Sequence, residues 1–191
     1  MPHGLERKLT YSDLPEEPTD GKRYELIRGR LFVNPSPNTI HQTVSMRLSV
    51  RLYEYFEIRG HRVLQAPTDI ILSPRDVFVP DIVVVETLDD ITVRGIERPP
   101  LIVVEILSPS TRCDDLGKKK KRYAELGILH YWIVDPADRS ITCHQRAGRS
   151  YRPRVRAVSE GLLTHPAFES LTIDVEALWC DLPGSAQSSA S

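Results

Sequence analysis

The stretch that most constrains the fold is LIVVEILSPSTRCDDLGKKKKRYAELGILHYWIVD, residues 101–135. Its pattern predicts a strand, a tight loop, a basic helix and a second strand. The first strand is a continuous apolar run, which is typical of a strand covered on both faces. One carboxylate, Glu105, interrupts that run. Because an ionised carboxylate is costly to bury without a partner, the sequence predicts a group that neutralises Glu105 in the interior.

A second carboxylate of the same kind, Asp81, lies in the strand-like run VFVPDIVVV. Two acids in the two most hydrophobic strands of the chain favour a divalent cation that both could hold. Mg²⁺ prefers oxygen ligands, typically one or two carboxylates with water and substrate phosphate in the other positions. Such an ion lowers the pKa of a bound water and neutralises charge on a phosphate. The pair therefore predicts a site for Mg²⁺ or Mn²⁺.

Chemistry at such an ion also needs a nearby lysine, which can orient the attacking water and steady the developing charge. The residue two places after Glu105 is Leu107, which cannot serve. The helix beyond the strand offers four consecutive lysines at residues 118–121.

Helical spacing narrows the choice among these lysines. Leu116 and Tyr123 mark the expected apolar face, and residues three or four apart share a face. Lys119 and Lys120 lie between the two markers, whereas the lysines on either side of them turn away. Spacing alone leaves Lys119 and Lys120 as alternatives.

The size and composition are those of one globular domain. The chain has 191 residues, of which 40% are hydrophobic and 27% charged, enough to bury a sizeable core. We expect a flexible N-terminal arm over residues 1–20, a single domain over residues 21–183 and a disordered tail over residues 184–191. The order of helices and strands predicts an α/β (α+β) fold with a central mixed sheet, flanking helices and extra β-hairpins.

Turn and cap residues predict the boundaries of several elements. The predictions are a helical turn near Ser12, a hairpin at Arg28-Gly29, a helix from Asn38 to Gly60, strands VFV and DIVVV running on from one another, a loop over residues 86–100, a helix capped by Asp114 or Asp115 and ended by Gly127, and a hairpin across Ala147-Gly148.

Net charge and cysteine content bear on the binding partners and on the cellular compartment. A net charge of −1 gives no general attraction to nucleic acid, so binding to DNA must depend on a local patch. Cys113, Cys143 and Cys180 form no metal-type spacing, and their odd number predicts a reducing, cytoplasmic compartment. No apolar run approaches the roughly 20 residues of a membrane span, and we expect no membrane association.

Six blocks of the sequence resemble a known family. They are YELIRGRL, NPSPNTIHQ, APTDIIL, VPDIVVV, VVEILSPSTR and DLGKKKKRYAELGILHYWIVDP. Pro80-Asp81 followed by Glu105 resembles the PD-(D/E)xK nuclease superfamily, and the blocks together are more similar to its Uma-type branch of restriction-endonuclease-like proteins. The similarity runs from about Tyr24 to Pro136 and continues more weakly beyond.

The resemblance implies a restriction-endonuclease-like core and a set of site residues. The implied metal ligands are Asp81, Glu105 and the backbone carbonyl of Ile106. In this branch the lysine lies on the following helix, four residues before the tyrosine, which selects Lys119. Glu25 is implied as a further acid at the metal, and His41 as a contact to phosphate or solvent. If Lys119 did not reach the site, metal binding could persist without hydrolysis.

Each of these residues also has an ordinary structural interpretation. Asp81 could be a strand-start carboxylate held by backbone N–H groups, and Glu105 could form a buried ion pair with Arg112 or a helix lysine. Lys119 could be one more lysine on a solvated face. Glu25 could be a cross-strand partner in its hairpin. His41 could be a hydrogen-bonding residue at a helix start.

Two basic stretches suit a phosphate backbone. The first is Lys118, Lys120, Lys121 and Arg122, to which His41 could add a contact. The second is the arginines of residues 146–156, which could grip DNA or a partner subunit, or simply be solvated. Neither carries a motif that reads bases.

The sequence therefore predicts a Mg²⁺- or Mn²⁺-dependent endonuclease that hydrolyses phosphodiester bonds, with DNA as substrate. The resemblance further implies a homodimer, with one active site for each strand. The alternatives are a catalytically inactive nuclease-fold module that binds nucleic acid or a protein, and an enzyme acting on another phosphorylated or acidic substrate.

Overall fold

A computed structural model describes residues 7–16 and 18–182. The predicted tail over residues 184–191 and part of the predicted arm over residues 1–20 lie outside the described residues. No helix in the described part is long and apolar enough to cross a bilayer.

The described residues form fourteen strands and four α-helices. The strands are β1 (Arg23–Ile27), β2 (Arg30–Asn34), β3 (Arg62–Gln65), β4 (Ile70–Ser73), β5 (Asp76–Phe78), β6 (Ile82–Val85), β7 (Ile91–Thr92), β8 (Gly95–Ile96), β9 (Ile102–Ile106), β10 (His130–Asp135), β11 (Ser140–Ala147), β12 (Ser150–Val158), β13 (Leu162–Thr164) and β14 (Thr172–Asp174). The helices are α1 (Thr39–Phe56), α2 (Arg112–Asp114), α3 (Lys120–Leu126) and α4 (Val175–Trp179).

The strands form two six-stranded mixed sheets and one small ribbon. The first sheet has the order β2-β1-β5-β4-β8-β7, and the second has the order β12-β11-β10-β9-β6-β3. The predicted α/β (α+β) class with mixed sheet, helices and hairpins is confirmed, and its strands are divided between two mixed sheets. VFV and DIVVV are not continuous, because the chain leaves the first sheet after Phe78 and enters the second sheet at Ile82. Pro80, between them, has no N–H for a ladder.

The second sheet is covered on both faces, as the apolar run of β9 predicts. Val104 and Ile106 pack on one face with α1 and α4. Val103 and Leu107 pack on the other face, against Tyr123 of α3. Since side chains alternate along a strand, Glu105 lies on the α3 side. All five residues of β9 are buried.

Several predicted boundaries are confirmed. A 3₁₀ turn spans Tyr11–Asp13, and the hairpin loop at Arg28-Gly29 has the positive φ angles of a type I′ turn. Asn38 caps α1 by accepting a 2.9 Å hydrogen bond from the N–H of His41. The loop over residues 86–100 contains a 3₁₀ turn and the β7–β8 hairpin.

The basic helix differs from its prediction in two respects. It begins at Arg112 and passes through a π-helical segment, Asp115–Lys119, before α3. Asp115 is therefore no cap but a residue inside the helix, 1% exposed, whereas the expected marker Leu116 is 42% exposed. The helix begins earlier than predicted, and Lys119 neutralises the carboxylate that faces inward. Gly127 ends the helix in the left-handed conformation, as predicted.

Three buried histidines give the fold a pH dependence. Burial lowers the pKa of His130, His144 and His165 from 6.5 to about 4. Because the unfolded chain takes up these protons first, their contribution to stability is present above pH 6.5 and is lost as the pH falls toward 4. We expect His165→Phe to reduce the slope of unfolding free energy against pH in this window, measured by denaturant titration.

The matched control is Trp179→Phe, a change at a buried aromatic residue of α4 that carries no imidazole. It should leave the slope unchanged. Equal slopes for wild type and His165→Phe would contradict the assignment.

Candidate active site

Asp81 and Glu105 are neighbours at the start of the β6–β9 pair. Ile82 is opposite Val104 in that antiparallel pair, and Asp81 directly precedes Ile82, so the register places Asp81 next to Glu105. The N–H of Ile106 donates a 2.7 Å hydrogen bond to Asp81 Oδ2, which joins the two strands at this point.

Asp81 is held by two basic side chains as well as by the backbone. Arg23 Nη1 lies 2.6 Å from Oδ1, and His41 Nε2 lies 3.1 Å from Oδ2. Burial would raise the pKa of Asp81, but the hydrogen bond and charge of His41, the charge of Arg23 and the N–H of Ile106 together lower it. Asp81 is therefore ionised in the folded protein.

A cleft of ≈ 400 Å³ leads to Asp81. Arg23, His41 and Gln65 line the cleft together with Asp81. Within the described residues, Arg23 Nε and His41 Nδ1 are buried without a hydrogen-bond partner. Two basic side chains thus stand at the cleft beside an ionised carboxylate, each with one buried nitrogen that has no partner.

Lys119 contacts three buried acids. Its side chain is 4% exposed, and Nζ lies 2.9 Å from Glu25 Oε2, 3.2 Å from Glu105 Oε1 and 3.2 Å from Asp115 Oδ1. Burial alone would lower the pKa of Lys119, but the three carboxylates raise it well above its usual value. Lys119 is a fixed ammonium ion, not a lysine on a solvated face.

Glu105 carries more negative charge around it than its partners neutralise. Oε1 accepts from Lys119 and, at 2.8 Å, from the hydroxyl of Tyr123. Oε2 accepts no hydrogen bond from the described residues. Burial, together with repulsion from the carboxylates of Asp115, Asp81 and Glu25, raises the pKa of Glu105 well above its usual value against the attraction of Lys119.

Glu25 completes the cluster from the first sheet. It is fully buried in β1. Oε1 accepts a 2.9 Å hydrogen bond from the N–H of Val79, and Oε2 accepts from Lys119 and Asn34. Glu25 is thus an interior acid that connects the two sheets through Lys119.

The cluster fits a cation held by few protein ligands. Its buried acids are Glu25, Asp81, Glu105 and Asp115, against the permanent cations Arg23 and Lys119. No group of three or more His, Cys, Asp or Glu residues within the described ranges is arranged to hold a metal. Two neighbouring carboxylates with surplus negative charge and one free oxygen suit Mg²⁺, which keeps water and substrate oxygens in its other positions.

The remaining predicted residues are spread over the same helix. Lys118 Nζ lies 2.7 Å from Asp114, and Lys120 Nζ lies 2.9 Å from His144 Nε2. Lys121 is exposed. Arg122 is bound at 2.8 Å to Asp76. Of the two lysines that spacing left open, only Lys119 contacts the acids of the site.

Sequence reasoning missed three residues of the cluster: Arg23, Asp115 and the hydroxyl of Tyr123. Asp115 and Tyr123 lie four residues before and after Lys119, a spacing that places all three on one helical face. Arg23 lies two residues before Glu25, on the same side of β1. Both spacings are present in the sequence, but they identify these residues as part of the site only once Lys119 and Glu25 are known to be buried.

Removing the tyrosine hydroxyl tests the network at one atom. We expect Tyr123→Phe to lower the unfolding free energy by about 1–2 kcal/mol, since Glu105 loses a buried donor. Tyr123→Phe should also change the increase in melting temperature that Mn²⁺ produces. Tyr151→Phe is the control, because the hydroxyl of Tyr151 donates a 2.8 Å hydrogen bond to the carbonyl of Ile128, outside the acid–lysine cluster. Equal Mn²⁺ responses in both variants would contradict a link between Tyr123 and the site.

The fold and the buried acid–lysine cluster define a nuclease-like α/β domain. The structure is similar to the crystal structure of "a putative nuclease belonging to DUF820 from Anabaena variabilis", with a TM-score of 0.69 and 20% sequence identity over 88% of this chain and 94% of that chain. At this identity the likeness concerns the fold.

The chain belongs to the Uma2 family, whose description is "Putative restriction endonuclease" and whose model matches residues 10–176. The family predicted from the sequence blocks is thereby confirmed. A comparison with curated proteins gives no match.

Proposed function

We propose that this protein is a metal-dependent endonuclease that hydrolyses phosphodiester bonds in DNA. The observation that carries the proposal is the proximity of Asp81 and Glu105. The N–H of Ile106, the residue after Glu105, donates a 2.7 Å hydrogen bond to Asp81, and Lys119 lies 3.2 Å from Glu105. Membership of a family described as restriction endonucleases supports the same chemistry.

Asp81 and Glu105 would hold Mg²⁺ or Mn²⁺, with the carbonyl of Ile106 as a further ligand. The ion would supply charge neutralisation at the phosphate and a more acidic bound water. Lys119 is fixed by three carboxylates, so it acts as a positive charge near the reaction and not as a proton acceptor. Glu25 holds Lys119 in place.

Arg23 and His41 lie on the cleft side of Asp81, where a phosphate would enter. Basic side chains that line a cleft suit the oxygens of a phosphate. We assign them contacts to the substrate backbone.

The outward lysines of the basic helix would add contacts to the DNA backbone. Lys118, Lys120 and Lys121 are exposed or half-buried, and exposed cations supply affinity without sequence preference. Arg122 is held by Asp76 and Glu125, so its contribution would be smaller. We further propose a homodimer, so that each site cuts one strand, and a cytoplasmic location.

The direct test is nicking of supercoiled plasmid by the full chain, with Mg²⁺, with Mn²⁺ and with EDTA. We expect nicking with either metal and none with EDTA. Nicking that EDTA leaves intact would contradict a metal-dependent reaction.

A second function is favoured by one observation. Glu105 and Lys119 are 2% and 3% exposed and do not line the cleft, and Leu107 stands where the superfamily has its lysine. A nuclease fold that binds nucleic acid without cleaving it would have these features. Absence of nicking, together with a higher melting temperature in Mn²⁺, would favour this binding module.

A further inference from the structure

A second cleft, of ≈ 590 Å³, opens near the far end of β1 from Arg23. The N-terminal segment, the β1–β2 turn and the β4–β5 turn form its walls. Its charged lining consists of Lys8, Arg28, Arg75, Asp76 and Arg122. We call it the basic cleft.

Backbone hydrogen bonds join the three walls of the basic cleft. The N–H of Leu9 donates a hydrogen bond of 2.9 Å to the carbonyl of Gly29. Hydrogen bonds of 2.8 Å run from the N–H of Gly29 to the carbonyl of Arg75 and from the N–H of Tyr11 to the carbonyl of Pro74. A Cβ at Gly29 would lie 2.9 Å from Leu9 O, so the walls meet closely. The basic cleft is a built feature and not a gap between loose loops.

The acids of the basic cleft are already satisfied. Asp76 is 2% exposed and accepts two 2.8 Å hydrogen bonds from Arg122 and one of 3.0 Å from the N–H of Arg28. Behind it, Glu125 accepts from Arg28 at 2.6 Å and from Arg122 at 3.0 Å. Two carboxylates thus face two guanidinium groups.

The other two cations of the basic cleft are not neutralised by these carboxylates. Lys8 and Arg75 are exposed, and neither side chain has a carboxylate partner among the described residues. The chain as a whole has a net charge of −1, so this excess is local. Exposed Arg30 and Lys121 on the adjoining hairpin and helix extend it beyond the basic cleft.

The spread of these cations suits a linear polyanion. They stand on separate segments around an open cleft, and no aromatic ring of residues 7–16 and 18–182 lines it to stack on a base. Along β1, Arg28 is about 17 Å from Arg23 at 3.3 Å per residue. That is roughly five base steps of B-DNA, at 3.4 Å per step on each strand.

We propose that the basic cleft binds the sugar-phosphate backbone of the nucleic acid substrate, several nucleotides from the bond at Asp81. The inference rests on the proposed function for the identity of the ligand, but not on cleavage. Lys8 and Arg75 supply the contacts, while Arg28, Asp76 and Arg122 hold the walls.

Binding of a fluorescein-labelled duplex of mixed sequence tests the proposal, measured by anisotropy over a range of NaCl concentrations with Ca²⁺ in place of Mg²⁺. The Lys8→Ala/Arg75→Ala double variant should bind more weakly, with the slope of log K against log[salt] reduced by roughly 2, since each phosphate contact contributes about 0.9. The control is Arg59→Ala, an exposed arginine just after α1 and outside both basic stretches, which should leave the slope unchanged.

A double variant that melts like wild type and keeps the wild-type slope would overturn the proposal. So would an equal loss in Arg59→Ala, since binding would then depend only on total charge. Failure of the proposed function is distinguishable, because a chain that nicks no plasmid but shows the slope change still has the basic cleft as its DNA contact.

Discussion

Asp81→Asn and Glu105→Gln should each reduce Mg²⁺-dependent nicking by at least about 10²-fold, the effect of removing one group that stabilises a transition state. The reason is geometric. Asp81, directly before β6, is next to Glu105 of β9, so losing either charge leaves only one of this pair of carboxylates for the cation. Single-turnover nicking rates at saturating protein give the measurement.

The matched control for these two variants is Glu57→Gln. Glu57 also pairs with an arginine, at 3.0 Å, and accepts a backbone N–H at 3.0 Å, but it lies at the end of α1. It should nick at the wild-type rate. Circular dichroism shows whether each variant is folded, and undiminished nicking by folded Asp81→Asn would place the reaction elsewhere.

Lys119→Met should lower the free energy of unfolding by about 3–5 kcal/mol near pH 7, the usual cost of removing one partner of a buried ion pair. It leaves three carboxylates buried without their shared cation. Nicking should be lost as well. Denaturant titration of the full chain gives the stability.

The pH dependence separates this effect from a simple packing defect. Burial already raises the pKa of Glu105 and of Asp115, and without Lys119 both rise further. Raised carboxyl pKa values favour the folded state below about pH 4 and penalise it as the pH rises. The deficit of Lys119→Met should therefore shrink from pH 7 to pH 5.

Lys118→Met is the neighbouring control. Its ammonium is 59% exposed and pairs with Asp114, so it should cost at most about 1 kcal/mol at either pH. A Lys119→Met variant that behaves like Lys118→Met would mean that the buried ammonium has no structural role.

The part of the site that the sequence predicts is the part that follows from periodicity. Glu105 alternates with apolar neighbours along β9, and that alternation places it on the α3 side. Helical spacing narrowed the candidates for the site lysine to Lys119 and Lys120. The structure separates them because Lys119 meets the carboxylates, whereas Lys120 turns to His144.

The parts that the sequence could not predict depend on tertiary contacts. Leu116 is a misleading marker because the helix buries a charged face, with Asp115 where an apolar residue is usual. Arg23 meets Asp81 only because β1 of the first sheet crosses the start of β6. That crossing follows from the division into two sheets, which no local pattern around Pro80 reveals.

The central claim is that the carboxylates of Asp81 and Glu105 share one divalent cation. Anomalous diffraction from crystals of the full chain soaked in Mn²⁺ tests it most directly. We predict a peak within coordination distance of both carboxylates, absent in Asp81→Asn. A peak elsewhere, or none in crystals whose cleft is open to solvent, would contradict the claim.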